Sequence, residues 1–235
     1  MFMPEIGVKQ MEIQNFSDFT AALLDAGFST GGENSEGVFS LCSLFGDQIA
    51  WHIDDPETDP WEWRMRVLEE CDDIAYAKVF FYKSGFITKE WYPYFLAARR
   101  GGKSFDEAYL DGTMSNFAKR IYTLVSDNES MPFHLIKQFG NFSKEDSSRF
   151  EKAIVELQMK MFITMCGRQR KASHFGEEYG WSSTVFCTAE NFFGSEVFDE
   201  AAKITEQEAI EKITAQVFKL NPFADAKKIM KFIKG

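Results

Sequence analysis

Residues 132–165 read PFHLIKQFGNFSKEDSSRFEKAIVELQMKMFITM. Pro132 to Phe139 predicts a short helix that stops at Gly140. Ser143 with Asp146 opens a second helix, on which Phe150, Ala153, Ile154 and Leu157 fall along one narrow face. Gly140-Asn141-Phe142 is then the tight turn between the two. Met161 to Met165 reads as a strand, Gly167 to Gly180 as a polar loop, and Thr184 to Thr188 as a second strand. Just upstream, Ser104 and Glu107 form a capping box for a helix running in two pieces to about Leu124. Helix, short helix, turn, helix, strand, loop, strand is the order of a winged helix. The expected class is therefore α+β, mostly helical, with winged-helix module or modules in a compact arrangement.

Outward from this unit, Phe16, Phe19, Leu23 and Phe28 recur near helical spacing, with Gly27 as a stop. Gly31 to Gly37 forms a loop, and the apolar runs of 38–53 fit strand or helix equally. Asp59-Pro60-Trp61-Glu62 is a sharp helix start: Asp59 caps, Pro60 suits the first helical position and Glu62 completes an Asp-x-x-Glu box. Residues 72–87 are aromatic and apolar, broken by Gly85. A helix near 92–100 ends in Arg99-Arg100-Gly101-Gly102, basic residues before glycine being favourable at a helix C-terminus. Thr205 with Glu208 and Asn221-Pro222 open two final helices. These signals divide the chain into an acidic, aromatic-rich region (1–103), the winged-helix module (104–200) and C-terminal helices (201–235).

A hydrophobic content of 45% excludes a disordered tail protein. Uncharged stretches fall far short of the ~18 apolar residues of a spanning helix, so no membrane association is expected. Met1 to Glu5 shows no basic n-region, which points away from a secretory signal and toward the cytoplasm. Cys42, Cys71, Cys166 and Cys187 are widely separated, without a C-x-x-C pair. They read as small buried thiols, and neither a metal nor another cofactor is expected. The net charge of −10 argues against indiscriminate polyanion binding, but residues 1–75 hold three basic and sixteen acidic side chains while the rest holds 23 and 20. A locally basic surface can therefore form beyond residue 75.

Several residues are candidates for chemistry. Arg168, Arg170 and Lys171, joined by His174, give the loop between the two strands a cationic patch able to hold phosphates of double-stranded DNA. The solvent face of the second helix carries Ser148, Lys152, Val155 and Glu156, a mixed surface from which Lys152 is the phosphate-binding candidate. The same loop also reads as a solvated surface or a protein contact. Projected at ~100° per residue, Arg64 falls within the apolar arc of Trp61, Met65 and Leu68. A guanidinium there needs a carboxylate or an anionic ligand. Two accounts stay open: an ion pair with the 54–59 acids, or a polar site walled by Trp61 and Trp63. His52 and Asp54 share a side if they lie on a strand, and Asp54 could then position water or stabilise a sugar cation. Glu177 and Glu178 are another carboxylate station or plain surface charge. Oligomeric state is not encoded in any of these patterns.

The stretches Asp59-Pro60-Trp61-Glu62-Trp63-Arg64, Lys89-Glu90-Trp91-Tyr92-Pro93-Tyr94-Phe95-Leu96-Ala97-Ala98-Arg99-Arg100 and Gly176-Glu177-Glu178-Tyr179-Gly180-Trp181-Ser182-Ser183 resemble bacterial AlkZ-related proteins, and the likeness runs from roughly residue 35 onward. The resemblance implies distant similarity to AlkZ-type DNA glycosylases, which are built from tandem winged helices and excise alkylated bases or unhook crosslinks without a metal. Their catalytic motif is Gln, a hydrophobic residue, then Gln or Asp. His52-Ile53-Asp54 keeps the acid and replaces the Gln; Gln48-Ile49-Ala50 keeps the Gln and loses the acid. The resulting expectation is a winged-helix DNA-binding protein acting on damaged DNA as a metal-independent glycosylase, with Asp54, His52 and Arg64 catalytic and Trp61 and Trp63 at the substrate. The alternative is a non-enzymatic interaction or small-ligand-sensing module built on the same aromatic and Arg64 pocket.

Overall fold

The computed structural model describes residues 12–172 and 177–235; His174 and the segment Met1 to Glu5 lie outside them. The chain runs through α1 (Phe16–Ala26), β1 (Phe28–Thr30), a single 3-10 turn (Leu41–Leu44), α2 (Pro60–Glu70), β2 (Ile74–Phe80), β3 (Lys83–Thr88), α3 (Tyr92–Arg100), α4 (Phe105–Leu110) and α5 (Asn116–Asp127). It continues through β4 (Ser130–Pro132), α6 (Phe133–Phe139), α7 (Ser147–Met159), β5 (Ile163–Ala172), β6 (Glu178–Thr188), α8 (Ala189–Phe193), α9 (Ser195–Ala201), α10 (Glu206–Leu220) and α11 (Ala226–Lys234). The class is α+β, with one six-stranded antiparallel sheet in the order β1-β3-β2-β5-β6-β4.

Local signals set many of these limits. Asn15 caps α1, and Gly27 ends it at φ +88°, where any side chain would strike the Trp91 indole, 2.2 Å from the position of a Cβ. Capping boxes form at Ser104/Glu107 and Thr205/Glu208. Asp59 caps α2, but through the Trp61 amide, and Glu62 turns away to an ion pair with Arg168 rather than completing a box. The last helix begins after Asp225, which accepts from Lys227 N, and not at Asn221-Pro222, where Asn221 Oδ1 accepts from Phe223 N in a turn and its Nδ2 donates to the Val38 carbonyl.

The apolar stretch 72–87 resolves into a hairpin. β2 is buried along nearly its whole length, as a central strand covered on both faces must be. It turns into β3 through Phe81 and Tyr82, both at positive φ (53° and 62°). That two-residue turn matches the strand twist but usually takes Asn or Gly, so a Phe-Tyr turn carries strain of about 1 kcal/mol or more per residue. Phe81 offsets part of this by packing 6.2 Å from Phe232.

A second difference lies at the other hairpin. The stretch expected as a polar loop, 167–180, is largely strand: β5 continues to Ala172 and β6 begins at Glu178. From residue 116 to 188 the order is helix, strand, helix, helix, strand, strand, with β4 paired to β6 and β6 to β5. The Tyr76↔Met165 register joins this unit to the N-terminal hairpin. The sheet therefore crosses residue 103, and one buried apolar cluster extends from Ile13 to Ile233, through all three regions drawn from the sequence. Phe232 of α11 closes it, stacked on Phe80 at 3.9 Å and edge-on to Phe95.

Candidate nucleic-acid interface

Asp59 organises the loop before α2. It is 2% exposed, and its Oδ1 accepts from both the Trp61 and the His52 backbone N–H groups. His52 is thereby held in a turn at φ +63°. It is not on a strand, so the condition for His52 and Asp54 to share a side is not met. Asp54 is exposed, and among the described residues its carboxylate has no hydrogen-bond or ion-pair partner. The His52 ring instead lies 4.5 Å from the Trp61 ring, and the Arg64 guanidinium stacks on the same indole at 3.1 Å while donating to the Trp61 carbonyl. Three sequence-predicted residues therefore converge on a partly exposed stack.

The loop-to-helix ion pair expected of Arg64 is made by Arg66, which reaches Glu57 and the Pro56 carbonyl and also pairs with Glu70. The reason is geometric. The 56–57 segment runs past Phe16, and Arg66 stacks on that ring at 4.0 Å. Trp63 is 1% exposed, stacked on Phe19 at 5.0 Å, with its indole N–H donating to Pro56 O. It is a core residue and cannot line a ligand site as folded. The enclosed space bordered by Trp63 and Arg64 is about 10 Å³, room for roughly one water and no larger ligand. Replacing Asp59 by Ala removes a cap and leaves two amides without a partner. It should cost about 2 kcal/mol, read as a lowered urea midpoint. An unchanged midpoint would show that water replaces the carboxylate.

The second group of candidates sits on the β5–β6 hairpin. Arg168, at its root, is bound to Glu62 and Glu69 of α2 at 3.0 and 3.3 Å, so its charge is used to dock the hairpin on that helix. Arg170 and Lys171 lie further out, exposed, and no ion-pair partner of either is found among the described residues. Two register shifts bend the hairpin. One lies between Met165 and Gly167, the other between Gln169 and Lys171, opposite Gly180 at φ +72°. Tyr179 and Trp181 flank that glycine at 54% and 95% exposure. Glu177 and Glu178 lie at the same end and are exposed. The cations of this arm are evident from the sequence; the aromatic pair carries a signal too, in Tyr179-Gly180-Trp181, whose glycine marks a bulge.

Lys152 is exposed on α7, in a groove of about 950 Å³ shared with Lys78, Tyr82, Lys160 and Lys234, but also with Glu151 and Glu156. The solvent face of α7 does not stand free, because Tyr82 and Gly235 border the same groove. Among the described residues no helix is long and apolar enough to cross a membrane. No curated protein and no solved structure matches the chain. Over residues 13–234, nearly its whole length, the sequence matches the family described as AlkZ related, and the chain belongs to that family.

Proposed function

We propose that the protein is a winged-helix DNA-binding protein whose principal contact with a duplex is the outer half of the β5–β6 hairpin. The observation that carries this reading is the exposure together of Arg170, Lys171, Tyr179 and Trp181 on one two-stranded arm. An indole left 95% in water forfeits the burial of an amphipathic surface of ~200 Å², and such surface is characteristic of residues kept for a partner. Two guanidinium or ammonium groups beside it supply phosphate contacts. The order of elements from 116 to 188 and the relation to AlkZ-type proteins support the same reading.

Fluorescence anisotropy on a blunt duplex across a salt series tests it. Two phosphate contacts give a slope of log affinity against log salt near −2. No binding at low salt, or a flat series, would sink the proposal. The finer reading is that the DNA is damaged and that Asp54 assists base release at the surface beside His52, Trp61 and Arg64. Asp54→Asn should then abolish the appearance of abasic sites in alkylated duplex while leaving affinity within about twofold, since it removes no phosphate contact. Equal release by wild type and variant would remove Asp54 from the mechanism.

A further inference from the structure

Between α6 and the hairpin lies a shallow, open cleft with about 730 Å³ of space. His134, Lys137 and Gln138 face it from α6, and Lys171, Trp181 and Ser183 from the hairpin. No carboxylate is among the described residues lining it, although the chain holds 36 acidic against 26 basic side chains. The Nδ1 of His134 is buried without a partner, while its backbone N–H is taken by Ser183 Oγ. Burial, aided by the nearby Lys171, holds this imidazole below its ordinary value. It therefore adds no third cation to the cleft. Lys137 is braced by Ser147 Oγ at 3.1 Å, and Trp181 stands at the edge of the cleft.

We propose that this cleft binds a nucleotide, with its phosphate between Lys137 and Lys171 and its base stacked on Trp181. Each half of such a ligand answers a separate feature. An inorganic anion would leave the indole unused, and an uncharged planar molecule would leave the two lining lysines unneutralised. The nucleotide can be free, or it can be an unpaired unit of a DNA strand. Only the second form rests on the DNA-binding reading above.

Calorimetry with deoxyadenosine 5′-monophosphate, deoxyadenosine and inorganic phosphate on the full chain separates the halves. The monophosphate should bind at least tenfold more tightly than either fragment. Lys137→Met, which lies outside the hairpin, should weaken it about tenfold, and Lys137→Arg should restore it. Lys227→Ala, exposed on α11 and outside the cleft, should leave it within twofold. A blunt duplex and the same duplex with one unpaired 5′-phosphorylated nucleotide then distinguish the sources. Preference for the unpaired end, lost in Lys137→Met, assigns the DNA form. Nucleotide binding without any duplex binding keeps the cleft and overturns the DNA-binding reading. Duplex binding with no heat at millimolar monophosphate, or a Lys137→Met variant equal to wild type, overturns the cleft.

Discussion

Replacing Arg99 by leucine should lower the thermal midpoint by about 10 °C, from a loss of roughly 3 to 4 kcal/mol at ~2–4 °C each for a chain of this size. Arg99 lies on α3, yet its guanidinium donates to the carbonyls of Met159, at the end of α7, and of Phe232 and Ile233, at the end of α11. Those carbonyls have no intrahelical donors, so a single cation satisfies two helix termini and sits at the negative end of both dipoles. Burial pulls its pKa down to about 9, which still leaves it charged at neutral pH. The residue retains some solvent contact, so water relieves part of the loss and the estimate is held near 1 kcal/mol per orphaned carbonyl. Arg99→Lys keeps the charge but lacks the planar fork that reaches three acceptors, and should recover about half. A leucine variant melting within 2 °C of wild type would show that α7 and α11 cap themselves.

Arg99 also marks where the sequence ceased to be legible. Arg-Arg-Gly-Gly reads correctly as a helix end, because a cap is a local event. The partners of Arg99 lie 60 and more than 130 residues away, and nothing local announces them. Arg100 behaves alike, bonding Glu190 and packing over Phe162. The same division runs through the fold. Gly27, Ser104/Glu107, Thr205/Glu208 and the two helices between Phe133 and Met159 were readable because caps, glycines and a 3.6-residue period lie within a few positions, although the second of those helices opens at Ser147 and not at Ser143, whose N–H and hydroxyl bond Asp146 in a turn before it. The strand ends 167–172 and 178–180 were not, since strands solvated on both faces show no alternation. The Phe81-Tyr82 turn lacks the usual turn residues altogether. Of the candidate site, His52, Trp61 and Arg64 each stand out in the sequence, but their convergence does not: the spacing suggests His52 beside Asp54, and it is the turn at φ +63° that sets its ring against Trp61. The exchange of roles between Arg64 and Arg66 depended on where the 56–57 loop passes, which a helical projection cannot supply.

Reversing both hairpin cations, Arg170→Glu with Lys171→Glu, should weaken duplex binding by at least about 100-fold near 0.1 M salt and reduce the salt slope by about 2, because each reversal removes a phosphate contact and adds a repulsion. Trp181→Ala is the informative companion. Loss of a stacking surface of ~1–3 kcal/mol lowers affinity roughly tenfold or more, and it does so without altering the slope, since no counterion is involved. All three residues are exposed, so folding stability should stay within about 0.5 kcal/mol in each variant and the binding losses can be read directly. The contrast separates an electrostatic arm from an aromatic one. If the reversed variant binds like wild type, the hairpin is not the contact. If Trp181→Ala changes the slope instead of the intercept, the indole acts by placing Lys171 rather than by touching a base.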